Sequence, residues 1–178
     1  EARTPLIISG PAEKSSNRYA EMEPLVRRLM TSQSNLISGY VKEAEDLLTA
    51  SLQDQSEDDA PPATLLGLAR VYQSTGRPAD AMRLYRDIAN RSDDEAGAEA
   101  LYRLGELLVE REEYEVAVSQ LSRMPTLFSG FSEWVARSFL LQARAFRQLG
   151  QPGEAGRLYD RVVEQFPGTP YADTAEPA

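Results

Sequence analysis

From Arg18 onward, apolar residues recur three and four positions apart in runs of helix length, divided by short breaks that carry Gly or Pro. No stretch alternates apolar and polar positions over β-branched side chains, as a half-buried strand would. The pattern predicts an all-α chain. Residues 1–17, "EARTPLIISGPAEKSSN", set Pro, Gly and Ser around one short apolar patch without a 3.6-residue period, and read as an extended arm or linker ahead of a helical region over 18–178.

The breaks repeat. Gly39, Ala44 and Leu48 in "GYVKEAEDLL" return as Gly76, Ala81 and Tyr85 in "GRPADAMRLY" and as Gly150, Ala155 and Tyr159 in "GQPGEAGRLY". A further copy, "EEYEVAVSQL", keeps Ala117 and Leu121 but has Glu112 in the Gly position. The aligned alanines 44, 81, 117 and 155 stand 37, 36 and 38 residues apart. Ahead of the last three copies runs another amphipathic stretch in which a small residue (Ala69, Gly105, Ala143) precedes a larger apolar one (Tyr72, Leu108, Phe146) by three positions on one helix face. Each unit is thus expected to hold two helices.

A small side chain on each helix lets two backbones of a hairpin approach, and the intervening Gly can take the left-handed conformation that ends the first helix. Pro78 and Pro152 suit the first turn of the second helix, where the missing N–H costs nothing. Leu68, Tyr72, Ala81, Tyr85, Leu104, Leu108, Ala117, Leu121, Ala143, Phe146, Ala155 and Tyr159 form the expected core.

This succession, completed by a closing Pro such as Pro167, resembles the tetratricopeptide repeat family over Leu25 to Thr169, with units starting near 25, 62, 98 and 136. The spacing exceeds the usual ~34 residues, and the first unit departs most, with Ser32 and Asn35 at its small and large positions. "YADTA" looks like the first turn of a further helix over 171–178, able to be capped near Thr169, so the array is expected to continue past its fourth unit. The resemblance implies an α-solenoid of about four helix-turn-helix repeats in a right-handed superhelix. The ending "YDRVVEQFPGTPYADTA" is also similar to repeat ends of bacterial envelope-associated members; cytoplasm and periplasm both stay open.

Composition narrows the chemistry. With no Cys and no His among 178 residues, thiolate or imidazole metal sites, Cys nucleophiles and imidazole bases are excluded. The formal charge of −9 argues against a nucleic-acid partner, and no apolar run approaches the ~20 residues that span a bilayer. Only Lys14 and Lys42 among the 19 basic residues are Lys, and neither makes a Ser-x-x-Lys motif; no GxGxxG or phosphate-binding loop occurs. The acidic run Asp54 to Asp59 lacks the Gly and closing Glu of a calcium loop, and Asp93 to Glu95 suit a helix start. No metal, cofactor or catalytic site is expected, and an enzyme would have to rest on carboxylates alone. Phe128, Phe131 and Trp134 fall in the lengthened connection before the fourth unit, where they read as a plug between units.

The resemblance implies that the first helix of each unit lines a concave groove. Counting from the unit starts places Leu66, Arg70 and Gln73 there, then Tyr102, Glu106 and Val109, then Arg137, Leu140, Arg144 and Arg147. Arginines so placed can engage a partner's carboxylate, or they can pair with Glu99, Glu106 or Glu110 on the neighbouring helix and brace the stack. The expected role is a non-enzymatic scaffold that binds a protein or peptide. The alternative is a self-association or spacer module, joined through an uncapped last repeat.

Overall fold

The computed structural model describes residues 39, 41–43, 45–50 and 60–175. The chain divides into two units, residues 1–43 and 44–178. Of the first, the described residues 39 and 41–43 are helical; the expected arm, the opening helix near 25 and the acidic run over 54–59 lie outside the described residues.

In the second unit, helical residues 45–50 are followed by α1 (Pro62–Ser74), α2 (Pro78–Arg91), α3 (Glu95–Glu110), α4 (Tyr114–Leu121), α5 (Met124–Leu127), α6 (Ser132–Gln148), α7 (Pro152–Gln165) and α8 (Pro170–Ala175). Among the described residues there is no strand. Successive helices form antiparallel hairpins α1/α2, α3/α4 and α6/α7. The first helices also lie side by side, α1 on α3, α3 on α6 and α6 on α8, while each second helix leans on the next hairpin's first. One continuous row of first helices results.

The turns explain why the hairpins close. Arg77 N–H donates to the Tyr72 carbonyl (2.8 Å), Glu113 N–H to Leu108 (2.9 Å) and Gln151 N–H to Phe146 (2.9 Å), each bond spanning a residue at positive φ. Those residues are Gly76 (74°), Glu112 (62°) and Gly150 (70°). This is the Schellman closure, and its carbonyls belong to the three large residues that the sequence pairs with a small one. Glu112 is the only non-Gly residue at positive φ among the described residues, and its Cβ makes that conformation costly. α3 starts differently: the Asp94 carboxylate accepts from Gly97 N–H at 3.2 Å and so caps it.

Of the twelve expected core residues, Leu68, Ala81, Tyr85, Leu104, Leu108, Ala117, Leu121, Ala143 and Ala155 are buried. Tyr72, Phe146 and Tyr159 are half-buried against the same cluster. The close approach is tightest at Gly105, where a Cβ would lie 2.5 Å from Leu121 Cδ2. α3 and α4 therefore meet with no room for even a methyl group, and overpacking of this kind costs about 1–3 kcal/mol.

The α3/α4 hairpin departs from the sequence reading. Its second helix stops after eight residues at Leu121, and α5 follows as a separate four-residue turn with Pro125 in its first positions. The lengthened connection thus holds a helix of its own. Phe128 leaves α5 to fill the space over Gly97, whose missing Cβ makes room for the ring. Trp134 does not belong to the connection: it lies in the first turn of α6, 8% exposed. An aromatic residue followed by "VARSFLLQ" satisfies the helical period from its first turn, and burial against α3 fixes it there.

Candidate functional site

The row α1, α3, α6 and α8 carries the residues placed in the groove, and the structure divides them into two sets. Near α1 they are committed to the fold. Arg70 donates from Nε to Glu99 Oε1 at 2.9 Å and from Nη2 to Glu99 Oε2, bridging α1 to α3. Glu99 is buried, and Arg103 adds an ion pair to it at 3.4 Å while reaching Glu106 at 2.9 Å. Burial pulls the Arg103 guanidinium down, but Glu106 and Glu99 outweigh it and hold it above its ordinary value. Gln73 accepts a hydrogen bond from the buried Tyr85 hydroxyl at 2.8 Å. Burial pushes that phenol up to about 12. Leu66 is buried, and Val109 packs half-buried against the core.

Further along, the set opens toward solvent. Tyr102 of α3, Arg137, Leu140, Leu141 and Arg144 of α6, and Tyr171 and Thr174 of α8 line a cleft of about 220 Å³. Tyr102 packs on Trp134 with the rings tilted by 47° and their centroids 5.5 Å apart, and burial and then the Glu106 charge raise its phenol to about 12. Arg137 is not available to a partner in the same way as its neighbours. It pairs with Glu133 at 2.7 Å and lies 5.0 Å from the centre of the Trp134 ring, with Tyr171 lining the same cleft. Arg144 and Arg147, both exposed, have no ion pair among the described residues, and with Gln148 they line a second depression of about 280 Å³.

The structure therefore brings together Tyr102, Arg137, Leu140 and Arg144, with Arg147 adjoining; Arg70, Gln73 and Glu106 serve contacts within the stack. Sequence reasoning missed Leu141, Tyr171 and Thr174. A signal existed for Tyr171, which stands 34 residues after Arg137, close to the usual ~34-residue period of the repeat though shorter than the other spacings of this chain.

Every buried side-chain nitrogen or oxygen among the described residues has a partner, and no group of acidic residues there could hold a metal ion. No helix among them is long and apolar enough to cross a membrane. Chemically, this arrangement offers a half-apolar cleft beside two unneutralised guanidinium groups.

Comparison with known proteins agrees with this architecture. Residues 64–98 and 137–169 each match a model described as tetratricopeptide repeat. A crystal structure of MamA superimposes with a TM-score of 0.61 at 22% identity, covering 80% of this chain and 78% of that one. A Podosopora anserina putative kinesin light chain with nearly identical TPR-like repeats gives 0.58 at 23%, covering 89% and 82%. Likeness at such identity speaks for the fold. A different similarity joins 80 residues, 44% of the chain, to the protein translocase subunit SecA of Prosthecochloris aestuarii at 47% identity. The same subunit of Salinibacter ruber is 37% identical over 83 residues. The chain spans 7% of the length of these two relatives.

Proposed function

Because the chain belongs to the tetratricopeptide-repeat family, a scaffold for contact between proteins, we propose that it holds an extended segment of another protein against α3, α6 and α8. The observation that carries this reading is the pair Arg144 and Arg147, exposed and without an ion pair among the described residues, beside a cleft walled by Tyr102, Leu140 and Tyr171. Among the described residues, Arg70, Arg77, Arg91, Arg103, Arg111, Arg137 and Arg157 are each paired with an acid. Arg144 and Arg147 have no such acid there and adjoin rigid aromatic area, which makes a surface suited to a partner. The reading assigns no catalysis, because the acids nearest the cleft, Glu106 and Glu133, are engaged by Arg103 and Arg137. A workplace at the bacterial envelope is supported by the likeness of the chain's ending and by the translocase relatives.

The test is a peptide-display selection on the whole chain, repeated with Arg144→Ala/Arg147→Ala. Capture of peptides that the double variant loses is the expected result. If nothing is captured, or both proteins capture the same set, the inner row is a spacer and the reading fails.

A further inference from the structure

Resting on the groove reading, we infer that the segment recognised carries an apolar side chain and a carboxylate two residues apart, the first seated between Tyr102 and Tyr171 and the second between Arg144 and Arg147. The two clefts adjoin, because Arg144 lines both. The floor of the first is Leu140 and Leu141, so its chemistry favours an aliphatic side chain. The second has guanidinium and amide groups and neither an apolar side chain nor an acid in its lining.

Arg137 is excluded as the anion's anchor. It is paired with Glu133 at 2.7 Å and lies over the Trp134 ring, so it supports the cleft wall. Arg144 and Arg147 stand three apart on one helix face, neighbours close enough for one carboxylate to meet both.

The spacing follows from the helix. On α6 the first cleft runs over 137–144 and the second over 144–148, so their centres along that helix are about five and a half residues, or roughly 8 Å, apart at the α-helical rise, nearest to a two-residue step of an extended chain. In an extended segment, residues i and i+2 face the same way and lie roughly 7 Å apart, whereas i+1 faces away and i+4 overshoots.

The experiment is titration of the whole chain with acetylated, amidated peptides, read by fluorescence of Trp134, the chain's single tryptophan, whose ring packs against the cleft residue Tyr102. The probes are Gly-Ser-Leu-Ser-Glu-Ser-Gly and its reverse, with versions carrying Gln for Glu, Ser for Leu, or Leu and Glu adjacent or four apart. A peptide ending in Leu-Ser-Ala with a free terminal carboxylate, against its amide, separates a chain terminus from an acidic side chain as the carboxylate's source.

We expect one direction of the Leu-x-Glu pair to bind about tenfold tighter than the Gln, Ser and respaced versions. Arg144→Ala/Arg147→Ala should abolish the Glu over Gln preference and keep the Leu over Ser preference. Both arginines are exposed and without an ion pair among the described residues, so this variant tests recognition without straining the fold. Equal binding of Glu and Gln, or of all spacings, overturns the inference and leaves the groove reading standing. Failure of every peptide here, while display still selects others, does the same; failure in both experiments removes the groove reading as well.

Discussion

Arg70 on α1 grips the buried carboxylate of Glu99 on α3 with two donors, Nε at 2.9 Å from Oε1 and Nη2 on Oε2, and so ties one hairpin to the next across 29 residues of sequence. The two ends of this pair differ: the Arg70 side chain is 53% exposed and that of Glu99 9%.

That asymmetry sets the order of two mutational costs. Arg70→Ala leaves a buried carboxylate with Arg103 at 3.4 Å as its remaining ion-pair partner, and should cost about 2 kcal/mol. Glu99→Gln keeps the volume and leaves an arginine that water can solvate, for about 1 kcal/mol. Urea unfolding of both variants checks the order, and equal costs would contradict the pair's assignment. Peptide affinity should stay within about twofold in Arg70→Ala, since this guanidinium faces its neighbour.

Glu112 occupies a left-handed position that Gly fills in two other turns of the same construction. Glu112→Gly should therefore stabilise the chain by about 1 kcal/mol, the relief of Cβ crowding exceeding the added freedom of the unfolded chain. Gly150→Ala should move the other way by a similar amount. Thermal unfolding followed by circular dichroism decides it: a Glu112→Gly midpoint below that of the parent would sink the account of the turn.

Tyr85 and Tyr102 are both pushed up to about 12, chiefly by burial. A phenol with a folded value above its unfolded one of about 10 favours the fold fully below that pH. Its contribution is lost as pH rises from about 10 to about 12. Tyr85 and Tyr102 should ionise late and together with loss of helix. Phenolate absorbance and circular dichroism recorded through the same alkaline titration test this, and early ionisation of both with the helices intact would refute it.

The features legible in the sequence are those governed by local backbone chemistry. Gly76 and Gly150 mark turns because a left-handed residue must end the helix, and Pro78 and Pro152 mark the start of the second helix because their fixed φ suits a first turn. The small residues pack as their spacing implies, since a 3.6-residue period fixes which of them share a face.

Less legible was anything decided between helices. Whether Arg70 meets a partner or Glu99 depends on how α1 is rotated against α3, and whether Arg144 and Arg147 stay open depends on how α6 is set among its own neighbours. Trp134 looked like connection because Pro125, Gly130 and three aromatics crowd together, and only its packing on Tyr102 draws the helix start back to Ser132. Tyr171 joins the cleft through α8, and its 34-residue distance from Arg137 is the one hint of this that the sequence holds.

The break between α4 and α5 also has a consequence in time. The first four N–H groups of any helix lack intrahelical partners, so about half of the eight-residue α4 is tied by its own ladder, against most of the fourteen-residue α2 and α7. Short helices lean on their neighbours for survival. Deuterium should therefore enter the amides of α4 sooner than those of α2 or α7, making the middle hairpin's outer helix the fastest clock among the three and setting how often Gly105 and Leu121 part.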